Sequence, residues 1–322
     1  MNKFLENIKF WYNNSRPYTI PITALSWLVI FIYSLKQGGN AIYGIAAYIG
    51  IALVHLATNL SDDYLDYLRL NHNGEFINNE KANKCKYLKD GKATIKDLRN
   101  VIIILLAIAG VMGGILFFLS GWKVILFALA VLPIALFYSK LSSNGLGDFA
   151  VILAYGPLMY EGVYYVMRGE LSLDVLYLSF ACAMYVNSIL YAHMLMDYDS
   201  DTASNKISLC TRLGSKQNAL YGLMFFYFTG YIMMGILALK SSNMFYFLTF
   251  LTIPLIFDLY NSLKLYNENP NLIPKARPWH YPLDNWKDLQ HSETATFFFR
   301  FFYARNISTY FMLLTCIAII LG

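Results

Sequence analysis

The chemistry-bearing residues of this chain fall in two short stretches. The first, TNLSDDYLDY, sets Asn59, Asp62, Asp63 and Asp66 at the end of an otherwise apolar run. On a helix, Asn59, Asp63 and Asp66 follow i, i+4, i+7 and share a face, with Asp62 beside Asp66 at i+4. Like charges this close repel unless a cation is held among them, and carboxylate oxygens with an amide carbonyl are the hard ligands that Mg²⁺ takes. The same acids also read as a solvated helix end. The second stretch, MLMDYDSDTASNKISLCTRLG, places Asp197, Asp201 and Asn205 at i, i+4, i+8 on one helix face, with Asp199 pointing off it. Two such patches facing one another can hold Mg²⁺ ions that bridge the oxygens of a diphosphate, while nearby Lys and Arg screen the remaining charge. The candidate metal ligands are Asp62, Asp63, Asp66, Asp197 and Asp201.

The elements that must position these acids are set by composition. The 322 residues are 57% apolar and only 14% charged, and they run repeatedly for about 20 residues with almost no charge, the length a helix needs to cross hydrocarbon. Segments such as VIIILLAIAGVMGGILFFLSG offer no polar face, which excludes a soluble amphipathic bundle. Nine spans are expected, at 18–37, 41–61, 98–119, 122–139, 148–167, 173–195, 218–239, 244–263 and 305–321. The expected fold is an all-α membrane protein, nine transmembrane helices bundled around a central cavity with cytoplasmic cap loops. Residues 1–17 mix Glu6 and Asn7 into an aromatic stretch with no small-residue cleavage site, so they read as an interfacial amphipathic segment rather than a signal peptide. Residues 18–322 then form one transmembrane domain.

Charge sets the orientation. With a cytoplasmic N-terminus, 21 of the 25 basic residues fall in cytoplasmic segments, and only Lys36, Lys123, Arg168 and Lys240 fall outside. Both acidic stretches then reach the cytoplasmic side of the cell membrane. The net charge of +5 describes topology and anionic partners without implying nucleic acid. The four cysteines show neither CxxC nor metal spacing, so no disulfide or zinc site is indicated.

The paired stretches NLSDDYLDY and DYDSDTASNKISLCTRLG resemble the two aspartate-rich motifs of the UbiA superfamily of intramembrane prenyltransferases, most nearly its dihydroxynaphthoate polyprenyltransferase branch in menaquinone biosynthesis. CKYLKDGKATIKDLRN is similar to that family's loop before the third helix, and FYSKLSSNGLGDFAVILAYGPL to its fourth-to-fifth helix connection. The chain departs from the pattern at Asp62, where the family has Asn, at Leu70 and His72, where it has Gly and Asp, and at His193 to Met196, where it reads Asn-Asn-Leu-Arg. The departures spare the diphosphate ligands and fall on surroundings that help orient the acceptor.

The resemblance implies Mg²⁺-dependent transfer of a prenyl or polyprenyl group from an allylic diphosphate to an aromatic acceptor such as 1,4-dihydroxy-2-naphthoate, within the lipid bilayer. Asp63, Asp66, Asp197 and Asp201 would then carry the catalytic metal that stabilises charge on the leaving diphosphate. Lys140, Lys206 and Arg212 adjoin the motifs and are candidate phosphate contacts, and Lys89 and Lys92 can close over the first motif. Basic residues at cytoplasmic helix ends also satisfy the positive-inside rule by themselves. Tyr138 and Lys140 stand where the family has a Tyr/Lys pair. Asn59 and Asn205 flank the carboxylates as substrate contacts, and Asn187, an intramembrane polar residue, is a further one. His193, one turn from Asp197, is either a proton acceptor or acceptor-orienting donor, or simply that carboxylate's partner. Aromatic faces shield a carbocation without offering it a lone pair, so Tyr155, Tyr160, Tyr164, Tyr165, Tyr185 and Tyr191 are candidates to line the prenyl site.

Two other readings remain. A terpene cyclase on the same scaffold would quench the cation with the prenyl chain's own double bonds. An ion-coupled carrier fits less well, because carriers set their coupling residues near the membrane midplane. The stretch 268–302 replaces a usually short connection. Its Pro270, Pro274, Pro278 and Pro282 forbid a long helix, and Trp279, Tyr281 and Trp286 suit an interfacial lid or an ordered, non-catalytic loop.

Overall fold

A computed structural model of the chain describes residues 3–72, 85–203 and 206–322. Among the described residues the only β pairing is one isolated bridge between Asn144 and Ile207. Helix α1 covers Lys3–Asn14. Among the described residues nine longer helices follow, each long and apolar enough to cross a membrane: α2 Pro17–Lys36, α3 from Ala41, α4 Ile95–Ser120, α5 Lys123–Ser143, α6 Gly147–Arg168, α7 Leu173–Met196, α8 Lys216–Ser241, α9 Met244–Glu268 and α10 Ala295–Leu321. The expected spans are all present.

Local chemistry sets the helix ends. Thr94 and Asp97 form a reciprocal capping box that starts α4, and the Ser215 hydroxyl caps α8 through the Asn218 N–H. Gly169, at φ +82°, ends α6 in the left-handed region where a side chain is strained. Two interruptions aim residues at the site. Pro133 lies inside α5, and four residues later Phe137 leaves helical geometry (φ −116°, ψ 16°), so the turn carrying Tyr138, Ser139 and Lys140 is redirected. Within α6, Ala154–Leu158 forms a π turn around Gly156 and Pro157.

Helix α7 is the hub, packing on α6, α8 and α10, whereas α4 and α5 turn Ile103, Ile104, Phe118 and Leu129 outward to lipid. Lipid removes the hydrophobic drive between spans, so close packing holds them together. A Cβ on Gly230 of α8 would come within 2.7 Å of the Tyr185 ring of α7, so the missing side chain is what lets the two helices approach. A smaller cluster of Trp11, Leu60, Tyr87, Leu88 and Leu98 binds α1 and the segment after residue 85 to the end of α3. Phe4, Leu5, Ile8 and Tyr12 of α1 are exposed, and Trp11 is buried against Tyr87.

Two boundaries, at α7 and α10, differ from expectation, and a third extends a span. The helix of α3 runs past the apolar span of 41–61 to His72, which keeps Asn59, Asp62, Asp63 and Asp66 on it as expected, with its acids and tyrosines packed by α1 and residues 85–88. Helix α7 ends at Met196, and Asp197 is its C-cap rather than part of one continuous acidic helix. Helix α10 begins at Ala295, ten residues before the expected start, because Arg300 is fully buried inside it. Its guanidinium donates to the carbonyls of Ser262 (2.8 Å), Thr296 (2.8 Å) and Leu272 (3.2 Å) and lies over the Tyr266 ring, so a residue that reads as a loop charge is a core strut. The prolines do limit 268–294 to short turns at Pro278–His280 and Trp286–Leu289.

Candidate active site

The first acidic motif is neutralised from outside its own helix. Arg16, just before α2, forms an ion pair with Asp63 and a second, at 3.4 Å, with Asp62, and it donates to the Asn59 carbonyl at 3.3 Å. Burial alone would lower the Arg16 pKa, but Asp63 and Asp62 outweigh it and hold the guanidinium above its ordinary value. Tyr87 donates to Asp63 at 3.2 Å; burial first, then the Asp63 charge, push that phenol up, so it stays a donor. The loop after α3 therefore closes on the motif through Tyr87 and Cys85, while Lys89 and Lys92 are exposed and Lys92 turns to Asp90 at 3.6 Å. A cavity of about 290 Å³ lies beside Asp63, lined by Arg16, Tyr18, Lys86 and Tyr87 among others.

Asp66 takes a 3.0 Å hydrogen bond from Ser139, on the redirected last turn of α5. The connection from α5 to α6 then reaches the second motif, since Asn144 pairs with Ile207 and its carbonyl accepts from Arg212 at 2.9 Å. Residues 139–144 thus touch the first motif at Asp66 and the segment after the second motif at Ile207 and Arg212. Asp201 is buried and is held by Lys206 at 3.0 Å, and its N–H donates to the Asp197 carbonyl at 2.8 Å, which keeps the two acids one helical turn apart. His193 Nδ1 lies 3.4 Å from Asp197, with its ring edge-on to Phe297 of α10 at 5.0 Å, which is the carboxylate-partner arrangement. Lys140 is exposed and Tyr138 half-buried beside Ser139. Asn205 lies outside the described residues.

Asn187 is fully buried and donates to Asp148 at the start of α6 at 3.0 Å, while its own carbonyl oxygen has no partner among the described residues. The aromatic candidates divide. Tyr185 stacks on Phe311 at 3.6 Å, Tyr191 packs edge-on to Phe226, and Tyr160 is buried near Ser26, so these serve the core. Tyr164 and Tyr165 sit near the opposite end of α6, against Glu170 and Lys123. Tyr155 alone among the six is tied to the polar chain below the first motif, through His55.

Sequence reasoning missed Arg16, Tyr87, Ser139, Asp148 and His55. His55 carried a readable signal, as an ionisable residue inside a span four residues before Asn59 and on its face. The other four acquire meaning only from long-range contacts.

Among the described residues, no three His, Cys, Asp or Glu side chains gather as a cage for a metal ion. The donor chemistry nevertheless fits Mg²⁺, which is ordinarily held by one or two carboxylates together with substrate phosphates rather than by a cage of protein ligands alone. Asp63 and Asp66 on one side and Asp197 and Asp201 on the other are such sparse sets.

A family model described as the UbiA prenyltransferase family matches residues 24–277. A 1,4-dihydroxy-2-naphthoate octaprenyltransferase of Haemophilus influenzae is 22% identical over 67% of this chain and 73% of its own length. The UbiA prenyltransferase domain-containing protein 1 of Danio rerio is 25% identical over 70% of this chain and 67% of its own. The apo structure of a UbiA homolog from Aeropyrum pernix K1 superposes with a TM-score of 0.60 at 16% identity, covering 93% of this chain and 98% of that one. A structure from work on the biosynthesis of digeranylgeranylglyceryl phosphate synthase in membranes gives 0.61 at 16% identity, over 97% and 99%.

Proposed function

Because the chain belongs to the UbiA prenyltransferase family, we propose that it transfers a polyprenyl group from an allylic diphosphate to an aromatic acceptor of the dihydroxynaphthoate class, with Mg²⁺, in quinone biosynthesis. That it is a multi-pass membrane prenyltransferase follows from the family and the nine spans. The acceptor class is supported by the relatives named 1,4-dihydroxy-2-naphthoate octaprenyltransferase. The observation that supports the reading is that residues 139–144 touch both motif regions, through Ser139 to Asp66 on one side and through Asn144 to Arg212 on the other.

Ionisation of the allylic C–O bond puts negative charge on the departing diphosphate. Mg²⁺, when bound, would neutralise that charge, held by Asp63 and Asp66 and by Asp197 and Asp201, with Asp62 adjoining. Lys206, paired with Asp201, and Arg212, bonded to the Asn144 carbonyl, would take phosphate oxygens beside the second motif, and Arg16 would do so beside the first once its carboxylates have another counter-charge. The apolar spans keep water from the prenyl cation. A lipid-soluble tail and an aqueous headgroup explain why acids sit at helix ends rather than at midplane.

The test is incubation of purified protein with labelled prenyl diphosphates, with and without Mg²⁺, alone and with a panel of hydroxylated aromatic acids. An acceptor-dependent, Mg²⁺-dependent prenylated product is expected. A hydrocarbon formed from prenyl diphosphate alone would instead identify a cyclase, and turnover in EDTA would remove the metal from the reaction.

A further inference from the structure

Transfer to a hydroxylated ring releases a proton, and the carboxylates at the helix ends are engaged by cations and hydroxyl donors. We propose that His55, inside the membrane on α3, is the base that accepts the proton of the acceptor's hydroxyl, with Tyr155 beside it orienting that hydroxyl. This rests on the acceptor being a hydroxylated aromatic, as proposed above.

Hydrogen bookkeeping fixes the state of the ring. Thr19 Oγ1 gives its single hydrogen to the Arg16 carbonyl at 2.7 Å and receives one from Asn59 Nδ2 at 3.1 Å. The other Asn59 amide hydrogen goes to the Ser15 carbonyl at 2.9 Å, which fixes the amide's orientation. At 2.7 Å from His55 Nε2, Thr19 Oγ1 can therefore only accept. The neutral imidazole carries its hydrogen on Nε2, and Nδ1 presents a lone pair toward Thr23 Oγ1 at 2.8 Å and the Tyr155 hydroxyl at 2.9 Å, which are themselves 2.9 Å apart. The tautomer is thus set by the same Thr19, Asn59 and Arg16 contacts that hold the first acidic motif.

The location suits a base. His55 lies two helical turns before Asp63 on α3, about 12 Å deeper along the axis at the α-helical rise. That depth lets a diphosphate sit among the acids while a ring joined to its C1 sits beside the imidazole. His55 and Tyr155 are both half-buried, and each keeps its polar atoms in the Thr19, Thr23, Tyr155 cluster rather than in the apolar packing of the bundle. Tyr155 reaches His55 from the π turn Ala154–Leu158, where Gly156 departs from helical geometry (φ −104°, ψ −115°). A Cβ on Gly156 would meet the Ala183 Cβ at 3.0 Å, so the loosened turn also presses α6 onto α7. Single π turns are retained inside α-helices chiefly at functional sites. The charged or titratable groups facing His55 are Arg16, ahead of α2, and Tyr155, from α6.

The step balances. The acceptor's hydroxyl proton moves to His55 Nδ1, directly or through the Tyr155 hydroxyl. A ring electron pair forms the new C–C bond while the C1–O pair leaves with the diphosphate. The ring carbon's hydrogen then departs to solvent as a proton, the ring regains aromaticity, and Nδ1 returns its proton to the oxygen.

The experiment uses the full chain and compares wild type with H55Q, H55A and Y155F. It measures KM for prenyl diphosphate, kcat/KM for a hydroxylated aromatic acceptor, and kcat against pH. Gln can donate to Thr19 and accept from Tyr155 but cannot hold a proton, so H55Q separates basicity from architecture. The expected result for H55Q is wild-type thermal stability, a prenyl diphosphate KM within twofold, and a loss of about 10²-fold in acceptor kcat/KM, within the range for general base catalysis. The fall in wild-type kcat toward acid pH should disappear in H55Q, and Y155F should lose about tenfold in acceptor kcat/KM. The proposal is overturned by an H55Q enzyme within threefold of wild type that keeps the acid limb. It is also overturned by losses equal for both substrates, which would make His55 purely structural. Because H55A removes the strut as well, an unfolded H55A leaves the decision to H55Q and Y155F. A wild-type protein that yields no acceptor-dependent product fails at the level of the proposed function and takes this assignment with it, whereas a wild-type product insensitive to H55Q overturns this assignment alone.

Discussion

Ser139 donates a 3.0 Å hydrogen bond to Asp66, and it does so from a helical turn that Pro133 and the break at Phe137 have swung toward α3. Five residues later the Asn144 carbonyl takes a 2.9 Å hydrogen bond from Arg212. One short stretch therefore contacts both motif regions, although 131 positions separate Asp66 from Asp197 in the sequence.

Gly145 in that connection lies at φ +71°, and a Cβ there would meet Arg212 Nε at 2.9 Å. Gly145→Ala is expected to cost about 1–2 kcal/mol in backbone strain and to push Arg212 off Asn144. A fall of roughly tenfold in kcat/KM for prenyl diphosphate, of the order that 1.4 kcal/mol of lost binding gives, would show that Arg212 serves the diphosphate. An unchanged kcat/KM in a destabilised enzyme would assign the arginine to structure.

Asp63→Asn and Asp201→Asn each remove one charge from a sparse donor set. Turnover is expected to fall by about 10²–10³-fold, the cost of losing one preorganised charge contact at a reacting oxygen. Thermal melts and turnover should be measured together. Near-normal turnover in either variant would make these acids bystanders.

Arg16 opposes any cation at the first motif for as long as it pairs with Asp62 and Asp63. Its pKa lies above the ordinary guanidinium value, so its stabilising charge is fully present below that range and is lost only as pH rises through it; the pair is constant across the working pH. Arg16→Gln should therefore tighten Mn²⁺ binding, read by electron paramagnetic resonance in the absence of diphosphate, by about tenfold at every pH from 6 to 9, as expected when a nearby like charge is removed at a partly exposed site. Unaltered Mn²⁺ affinity would show that the guanidinium and the metal occupy separate places.

Orientation is testable against a low background, because the four native cysteines are buried and burial pushes the Cys210 thiol up to about 12. Cysteine placed at the exposed positions Lys86 and Lys287 should react with a membrane-impermeant maleimide only from the cytoplasmic side, as the basic-residue bias requires. Labelling from outside intact cells would invert the topology and with it the side on which the motifs lie.

Arg300→Ala would leave the carbonyls of Ser262, Thr296 and Leu272 without their donor. The Ser262 and Thr296 carbonyls lie within helices and keep their backbone partners, so only the Leu272 carbonyl is left unsatisfied; a loss of about 1–3 kcal/mol is expected, seen as a lowered melting temperature and early proteolysis within 268–294. Equal stability would mean that the last helix is held without its buried cation.

Hydropathy alone determined nine spans, because a run of about 20 apolar residues in a bilayer has no alternative that satisfies its backbone. The period of 3.6 likewise put Asn59, Asp62, Asp63 and Asp66 on one patch, and the spacing of the second motif put Asp197 and Asp201 one turn apart. Charge counting misplaced the start of α10, since a window that treats Arg300 as a loop residue cannot know that three carbonyls and the Tyr266 ring receive it. Lys89 and Lys92 looked like the closing residues of the loop after α3, but Tyr87 holds that position because it can both bury its ring against Trp11 and donate to Asp63. Which aromatics face the site was undecided by type: Tyr185 and Tyr155 differ only in what packs around them, a stacked Phe311 in one case and a half-open histidine in the other. Tertiary structure decided those matters because burial, counter-charge and hydrogen-bond completion depend on partners contributed by other helices, and no local period in the chain encodes them.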